Sequence, residues 1–202
     1  MSFTNGVDPD QAQKVLGDAS IKSRSYNETQ PYVDVISFNL DRLKDKSVRE
    51  ALAYAMPNQQ ILGANGGPIA GELAPNLLAP TLIGWKPLDP FGKLKKPNGD
   101  PEKAKQVLKD AGKEGQTIVY AYANTEIQQK VSVLVKNALE KAGFKVERKE
   151  IDAATYYTQI GKLKNKFDIY RSSWGADWPV SSTVVPPLFD GRQIADGAQN
   201  YG

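Results

Sequence analysis

Apolar residues recur along this chain with two different periods, and their order predicts a layered α/β domain. The first clear strand is Tyr32-Val33-Asp34-Val35-Ile36-Ser37-Phe38-Asn39, rich in β-branched and aromatic residues. Val48, Leu52 and Ala55 then fall at i, i+4 and i+7, one face of a helix from about 47 to 56. Pro57-Asn58 ends that helix or opens a short one over 59–62. Farther along, Asp100 and Pro101 supply an N-cap and a first helical residue. Ala104, Val107, Leu108 and Ala111 follow at helical spacing, and Gly112 ends the helix. The run 117–123 is apolar or aromatic on both faces, which predicts a central strand covered on both sides. A longer helix is expected at 126–142, with Ile127, Val131, Leu134, Val135, Ala138 and Ala142 as its stripe. Residues 145–151 alternate charged with apolar, like an edge strand. A helix at 154–163 and a strand at 167–171 complete a β-α-β-α-β order. Such an order calls for right-handed crossovers and a mainly parallel sheet flanked by helices.

The rest of the pattern is weaker. Asp8-Pro9 caps a short helix over 11–16, and 21–26 alternates faintly enough to suggest a strand. Residues 63–98 show few periodic runs but hold Leu77, Leu78, Leu82 and Trp85. A connection of that length in a compact domain is expected to be ordered coil packed by its own apolar side chains. No stretch is long and apolar enough for a membrane span.

Composition removes several chemistries. The chain has 202 residues, 40% hydrophobic and 24% charged, with neither Cys nor His. Disulfides, thiol nucleophiles, cysteine metal sites, Ser-His-Asp hydrolysis and His-based metal motifs are therefore excluded. Lys and Arg total 26 against 23 acids, a net charge of +3, and lysine dominates. Basic residues cluster only at Lys93–Lys96 and Lys162–Lys166, too little for the basic stripe with stacked aromatics expected of a nucleic-acid binder. The amino terminus has no basic n-region and no apolar h-region, so no signal peptide is expected in this chain.

The best candidate site follows the last strand: Arg171-Ser172-Ser173-Trp174-Gly175-Ala176-Asp177-Trp178-Pro179. Ligands of open α/β sheets bind outside the carboxyl ends of strands, where this segment is expected. Arg171 offers a fork for a carboxylate, and Asp177 a partner for an ammonium group. Trp174 and Trp178 offer faces for apolar groups or sugars, and Gly175 and Ala176 let a ligand approach the backbone. Each residue alone has a structural reading: Arg171 as a surface ion pair, Asp177 as a turn cap, Trp178 as packing. Asp152 and Asp168 stand near strand ends, but nothing in the sequence makes them face one another as a glycosidase pair. Gly63-Ala64-Asn65-Gly66-Gly67 lacks the lysine of a phosphate loop and reads as a turn.

Four stretches in order resemble family 5 of the extracellular solute-binding proteins, which serve ABC transporters for peptides. Phe38-Asn39 with Val48-Arg49-Glu50-Ala51-Leu52-Ala53-Tyr54-Ala55 is similar to its "FN … VRxAlxyAi" signature. Asp100-Pro101-Glu102-Lys103-Ala104-Lys105, with Leu108 and Ala111-Gly112, resembles "dpekAkklLaeAG". Leu139 to Val146 resembles "lkkiGikve", and Phe167-Asp168 with Trp174 to Pro179 resembles "yDl…gWgaDypDP". The resemblance implies a periplasmic-binding-protein-like lobe of type II, peptide-binding cluster. On that reading, residues 1–40 belong to a first lobe, with a crossing strand ending at Asn39. Residues 41–202 form most of the second, ligand-binding lobe.

The resemblance further implies that Asp177 pairs with a peptide's α-amino group and that Arg171 meets a ligand carboxylate. Trp174, Gly175, Ala176, Trp178 and Asn39 would face the ligand, with no cofactor and no metal. The partners implied are a peptide and, in a longer parent, an ABC transporter permease, with no nucleic acid. Localisation would be extracellular or periplasmic, and any membrane attachment would come through a lipid anchor absent from this chain. Apolar surface exposed on an isolated lobe would favour self-association. Val180-Ser181-Ser182-Thr183-Val184 departs from the family's following Asp-Pro, so an oligosaccharide ligand stays open. A carboxylate-dependent hydrolase is the distant alternative.

Overall fold

The computed structural model describes residues 9–198. Four strands form one sheet in the order β1-β4-β2-β3: β1 (Tyr32–Phe38), β2 (Thr117–Ala123), β3 (Lys145–Ile151) and β4 (Ile169–Gly175). β2 pairs parallel with both β3 and β4, whereas β1 runs antiparallel to β4. The expected mainly parallel sheet is present, with one antiparallel strand on its edge. β2 is interior and β3 is an edge, as their patterns predict.

The helices are α1 (Pro9–Gly17), α2 (Ala19–Lys22), α3 (Lys46–Ala55), α4 (Asn58–Ala64), α5 (Pro101–Asp110), α6 (Glu126–Lys141), α7 (Tyr156–Ile160) and α8 (Val185–Phe189). Asp100 caps α5 through its side chain and Pro101 opens it; Thr125 caps α6. The proposed Asp8 cap of α1 lies outside the described residues. α3, α5 and α6 cover one face of the sheet. Val48, Leu52, Leu108, Val131, Val135 and Leu139 pack there against Ile118, Tyr120 and Ile169. α7 covers part of the other face, where Tyr156 and Ile160 meet Ala121 and Tyr170. A third cluster joins Ala79 and Leu82 of the long connection to Val184, Leu188, Val33 and Trp174. The connection is thus coil held by its own apolar residues, as expected.

Gly99 lets that connection return against α3. Its φ is +87°, and a Cβ there would stand 2.7 Å from the Ala55 carbonyl oxygen. The next amide, Asp100 N–H, donates to the Tyr54 carbonyl at 2.7 Å.

Three expectations change. Residues 21–26 form no strand: Asp18 caps α2 instead, its side chain accepting from the Ser20 amide, and no strand lies alongside. α7 is shorter than 154–163, because the Asn165 side chain donates to the Ile160 and Lys162 carbonyls and closes the chain into a turn. The last strand starts and ends later than 167–171. β1 keeps pairing with it as far as Tyr32↔Gly175, so Arg171 to Gly175 lie within β4 and only Ala176 onward follows it.

Candidate functional site

β4 outruns its parallel neighbour. β2 ends at Ala123, but β4 continues through Ser173, Trp174 and Gly175 because β1 supplies an antiparallel partner. Successive β4 side chains alternate between faces. Arg171, Ser173 and Gly175 share a face with Ile36, Asp34 and Tyr32, their direct partners on β1. Ser172 and Trp174 take the opposite face.

A cavity of about 400 Å³ opens where β2 passes into α6, near the start of α7. Ala123, Thr125, Gln128, Tyr156, Tyr157 and Arg171 line it, and Arg171 is the sole charged side chain among its lining residues. The amino-terminal turn of the sixteen-residue α6 faces it, adding the partial positive charge of the helix start, where the Thr125 hydroxyl accepts the Gln128 amide. Gln128 is buried, and its Oε1 has no hydrogen-bond partner among the described residues. Tyr156 is held in place by donating from its hydroxyl to the Arg171 carbonyl at 2.8 Å. Burial raises the Tyr156 pKa well above the usual phenol value, so the hydroxyl remains a donor. A cation, a helix amino terminus and an unpaired amide oxygen in one cavity suit a ligand that presents a carboxylate beside an N–H or O–H group.

Arg171 does not reach the cavity unaccompanied. Its Nη2 donates to Asp34 Oδ1 at 2.6 Å, across the diagonal of the β1/β4 ladder. Burial works to lower the Arg171 pKa. The Asp34 carboxylate, with Tyr157 and Tyr32 nearby, outweighs it and raises the value above that of a free arginine. Ser173 ties the neighbouring phenols together, with Tyr32 Oη at 2.7 Å and Tyr157 Oη at 3.2 Å from its Oγ.

The other expected residues divide into four groups. Gly175 faces Tyr32, whose ring occupies the space a side chain would need; a Cβ would lie 2.9 Å from Tyr32 Cδ2. Trp174 is committed to the apolar cluster, and its Nε1 donates to the Thr183 carbonyl at 2.7 Å. The crevice beside it measures about 10 Å³, room for no more than one water. Ala176 packs on the same cluster and donates its N–H to Pro31 at 2.8 Å. Asp177 and Trp178 are exposed in the turn after β4, outside the cavity lining, with Trp178 59% exposed. Asn39 sits at the other end of the β1/β4 ribbon. Its Oδ1 accepts the Asp41 and Arg42 amides, and its Nδ2 donates to Asn165. The length of β4, roughly 20 Å for seven residues, separates it from the Asp177 turn.

Asp34, Thr125, Gln128, Tyr156 and Tyr157 belong to the site or its border but were not singled out as ligand residues. Two of them carried a signal. Asp34 is the one charge within the apolar strand 32–38. Gln128 falls on the same helix line as Val131, Val135 and Leu139, where a polar residue is out of place.

Comparison with solved structures supplies the context. The clavulanic acid biosynthesis oligopeptide binding protein 2 is 26% identical and superimposes with a TM-score of 0.86 over 95% of this chain and 36% of that one. The Escherichia coli murein tripeptide binding protein MppA is 22% identical, with a TM-score of 0.75 over 95% of this chain and 38% of its own. DppA from Helicobacter pylori, solved in complex with peptide STSA, is 20% identical with a TM-score of 0.75, over 97% of this chain and 37% of its own. The chain therefore spans little more than a third of these structures, and its fold is that of the type II periplasmic binding proteins of the peptide-binding cluster. No curated protein sequence matches the chain at a significant level. Among the described residues no helix is long and apolar enough to cross a membrane. The sequence profile described as Bacterial extracellular solute-binding proteins, family 5 Middle, matches residues 1–196, and the chain belongs to this solute-binding family.

Proposed function

We propose that this chain is a ligand-capturing lobe of a peptide-binding protein that serves an ABC transporter. The observation that carries the reading is the cavity at the carboxyl ends of the parallel strands, where Arg171 and the start of α6 await a carboxylate. Asp177, in the turn that ends β4, takes the peptide's amino group. Gly175 and Ala176 lie between the two in the chain; the Ala176 amide is held by Pro31, and the Gly175 backbone offers main-chain groups to an extended peptide. Trp178 covers the ligand from the turn, whereas Trp174 and Asn39 support the site from the packed cluster and the far end of the ribbon.

In this reading residues 1–40 come from the first lobe and 41–202 from the second, and a hinge between lobes closes on the ligand and presents it to the permease. The parent works outside the cytoplasmic membrane, held there by a lipid anchor. One lobe supplies part of the contacts, so binding is expected to be weaker than micromolar. Tetra-alanine at millimolar concentration should shift the backbone resonances of Arg171 and of Thr125 to Gln128; no shift overturns the peptide reading. Calorimetry with a mixed peptide library tests the half-site, and micromolar or tighter binding defeats it.

The exposed indole of Trp178 supports a second reading, an oligosaccharide ligand stacked on its face. Quenching of tryptophan fluorescence by oligosaccharides, with no effect of peptides, would favour it.

A further inference from the structure

We propose that Asp34 sets the charge specificity of the carboxylate end of the site, admitting a peptide that ends in one carboxylate and rejecting one that brings two. The inference rests on the peptide reading above. Its basis is the pairing of Arg171 before any ligand arrives. Nη2 is engaged by Asp34 Oδ1 at 2.6 Å, while the structure gives Nε and Nη1 no partner among the described residues. The cavity lining holds no charge besides Arg171, so the guanidinium and Asp34 together sum to zero.

One ligand carboxylate is then received by the remaining guanidinium donors and the α6 amino terminus. A second carboxylate finds no cation left. It meets the Asp34 side chain, 48% exposed beside the guanidinium, and like charges at this range repel. Asp34 is held at the site by its contact with Arg171 and by its place on β1. It stands opposite Ser173, whose hydroxyl is bonded to the phenols of Tyr32 and Tyr157. Its position on a paired strand fixes where the negative charge falls.

Two peptides and one isosteric variant test this: tetra-alanine, the same peptide with aspartate as its last residue, and Asp34→Asn. Dissociation constants are read by NMR titration of the full chain, a method that reaches millimolar affinities. The wild-type chain should prefer tetra-alanine, and Asp34→Asn should narrow that preference by about threefold to tenfold, the range expected for one partly exposed charge pair. A variant that weakens both peptides equally, leaving their ratio intact, assigns Asp34 a structural role and overturns the proposal. A ratio unchanged at unchanged affinity overturns it too. If neither peptide shifts the wild-type resonances, the peptide reading itself fails and the proposal with it.

Discussion

Arg42 donates from Nε to Asp168 Oδ1 at 2.7 Å, at the end of β4 remote from the cavity. The other oxygen of that carboxylate accepts the Val119 amide at 2.7 Å, and the Asp168 carbonyl accepts the Asn39 amide at 2.9 Å. One buried aspartate thereby joins the end of β1, the middle of β2 and the start of β4. Asp168→Ala leaves the Val119 amide and the Arg42 guanidinium short of a partner. The expected loss is about 2–3 kcal/mol in urea unfolding, typical of a buried charge-assisted pair broken on one side. A loss below about 0.5 kcal/mol would show that the pair is solvated and carries little.

Gly99→Ala tests the return of the long connection against α3. The added Cβ collides with backbone at Ala55, and φ stays positive for a residue that resists it. A destabilisation of about 2–4 kcal/mol is expected. A thermal midpoint equal to wild type would refute the close approach.

Lys93 makes stability depend on pH. Its Nζ donates to the Ala53 carbonyl of α3. Burial lowers its pKa to about 8, against the opposing attraction of Asp89. Between pH 8 and the ordinary lysine value near 10.5 the unfolded chain holds the proton and the folded chain does not, so this contribution to stability rises with pH. From pH 7.5 to 9.5 the wild-type chain should gain about 2 kcal/mol relative to Lys93→Met. Parallel pH profiles for the two proteins would contradict this.

Gly175→Ala pushes on the Tyr32 ring and should cost about 1 kcal/mol. The same change should break the Tyr32–Ser173 hydroxyl contact. Combining it with Tyr32→Ala should recover most of the loss, since the obstructing ring is gone. Additive losses in the double mutant would place the strain elsewhere.

Asp177→Asn separates binding from stability. Asp177 is exposed, so the thermal midpoint should stay within about a degree of wild type. The NMR affinity for a peptide with a free amino group should fall about threefold to tenfold, while that for its acetylated form stays unchanged. Equal effects on both peptides would remove Asp177 from the amino-terminal contact.

Much of the fold was legible because helix and strand periods are local properties. The stripe through Val131, Val135 and Leu139, the Thr125-capped start of α6 and the Asp100-Pro101 start of α5 needed no distant partner to be read. The β4 boundary was different. Nothing within 167–175 says that pairing continues past Arg171, because the instruction comes from β1, 137 residues away at the Asp34–Arg171 contact. The same limit applied to 21–26, whose faint alternation found no strand to pair with.

The sequence by itself determined the alternating layers, the absence of cysteine and histidine chemistry, and the concentration of a cation, a carboxylate and two indoles near 171–178. Tertiary structure decided which of those residues share a space. Strand alternation sends Arg171 toward the cavity and Trp174 into the apolar cluster, although three positions separate them. It also brought Asp34 and Gln128, distant in sequence, to the border and the wall of the same cavity. Local pattern fixes the direction in which each side chain leaves its own element; only the packing of elements fixes what it meets there.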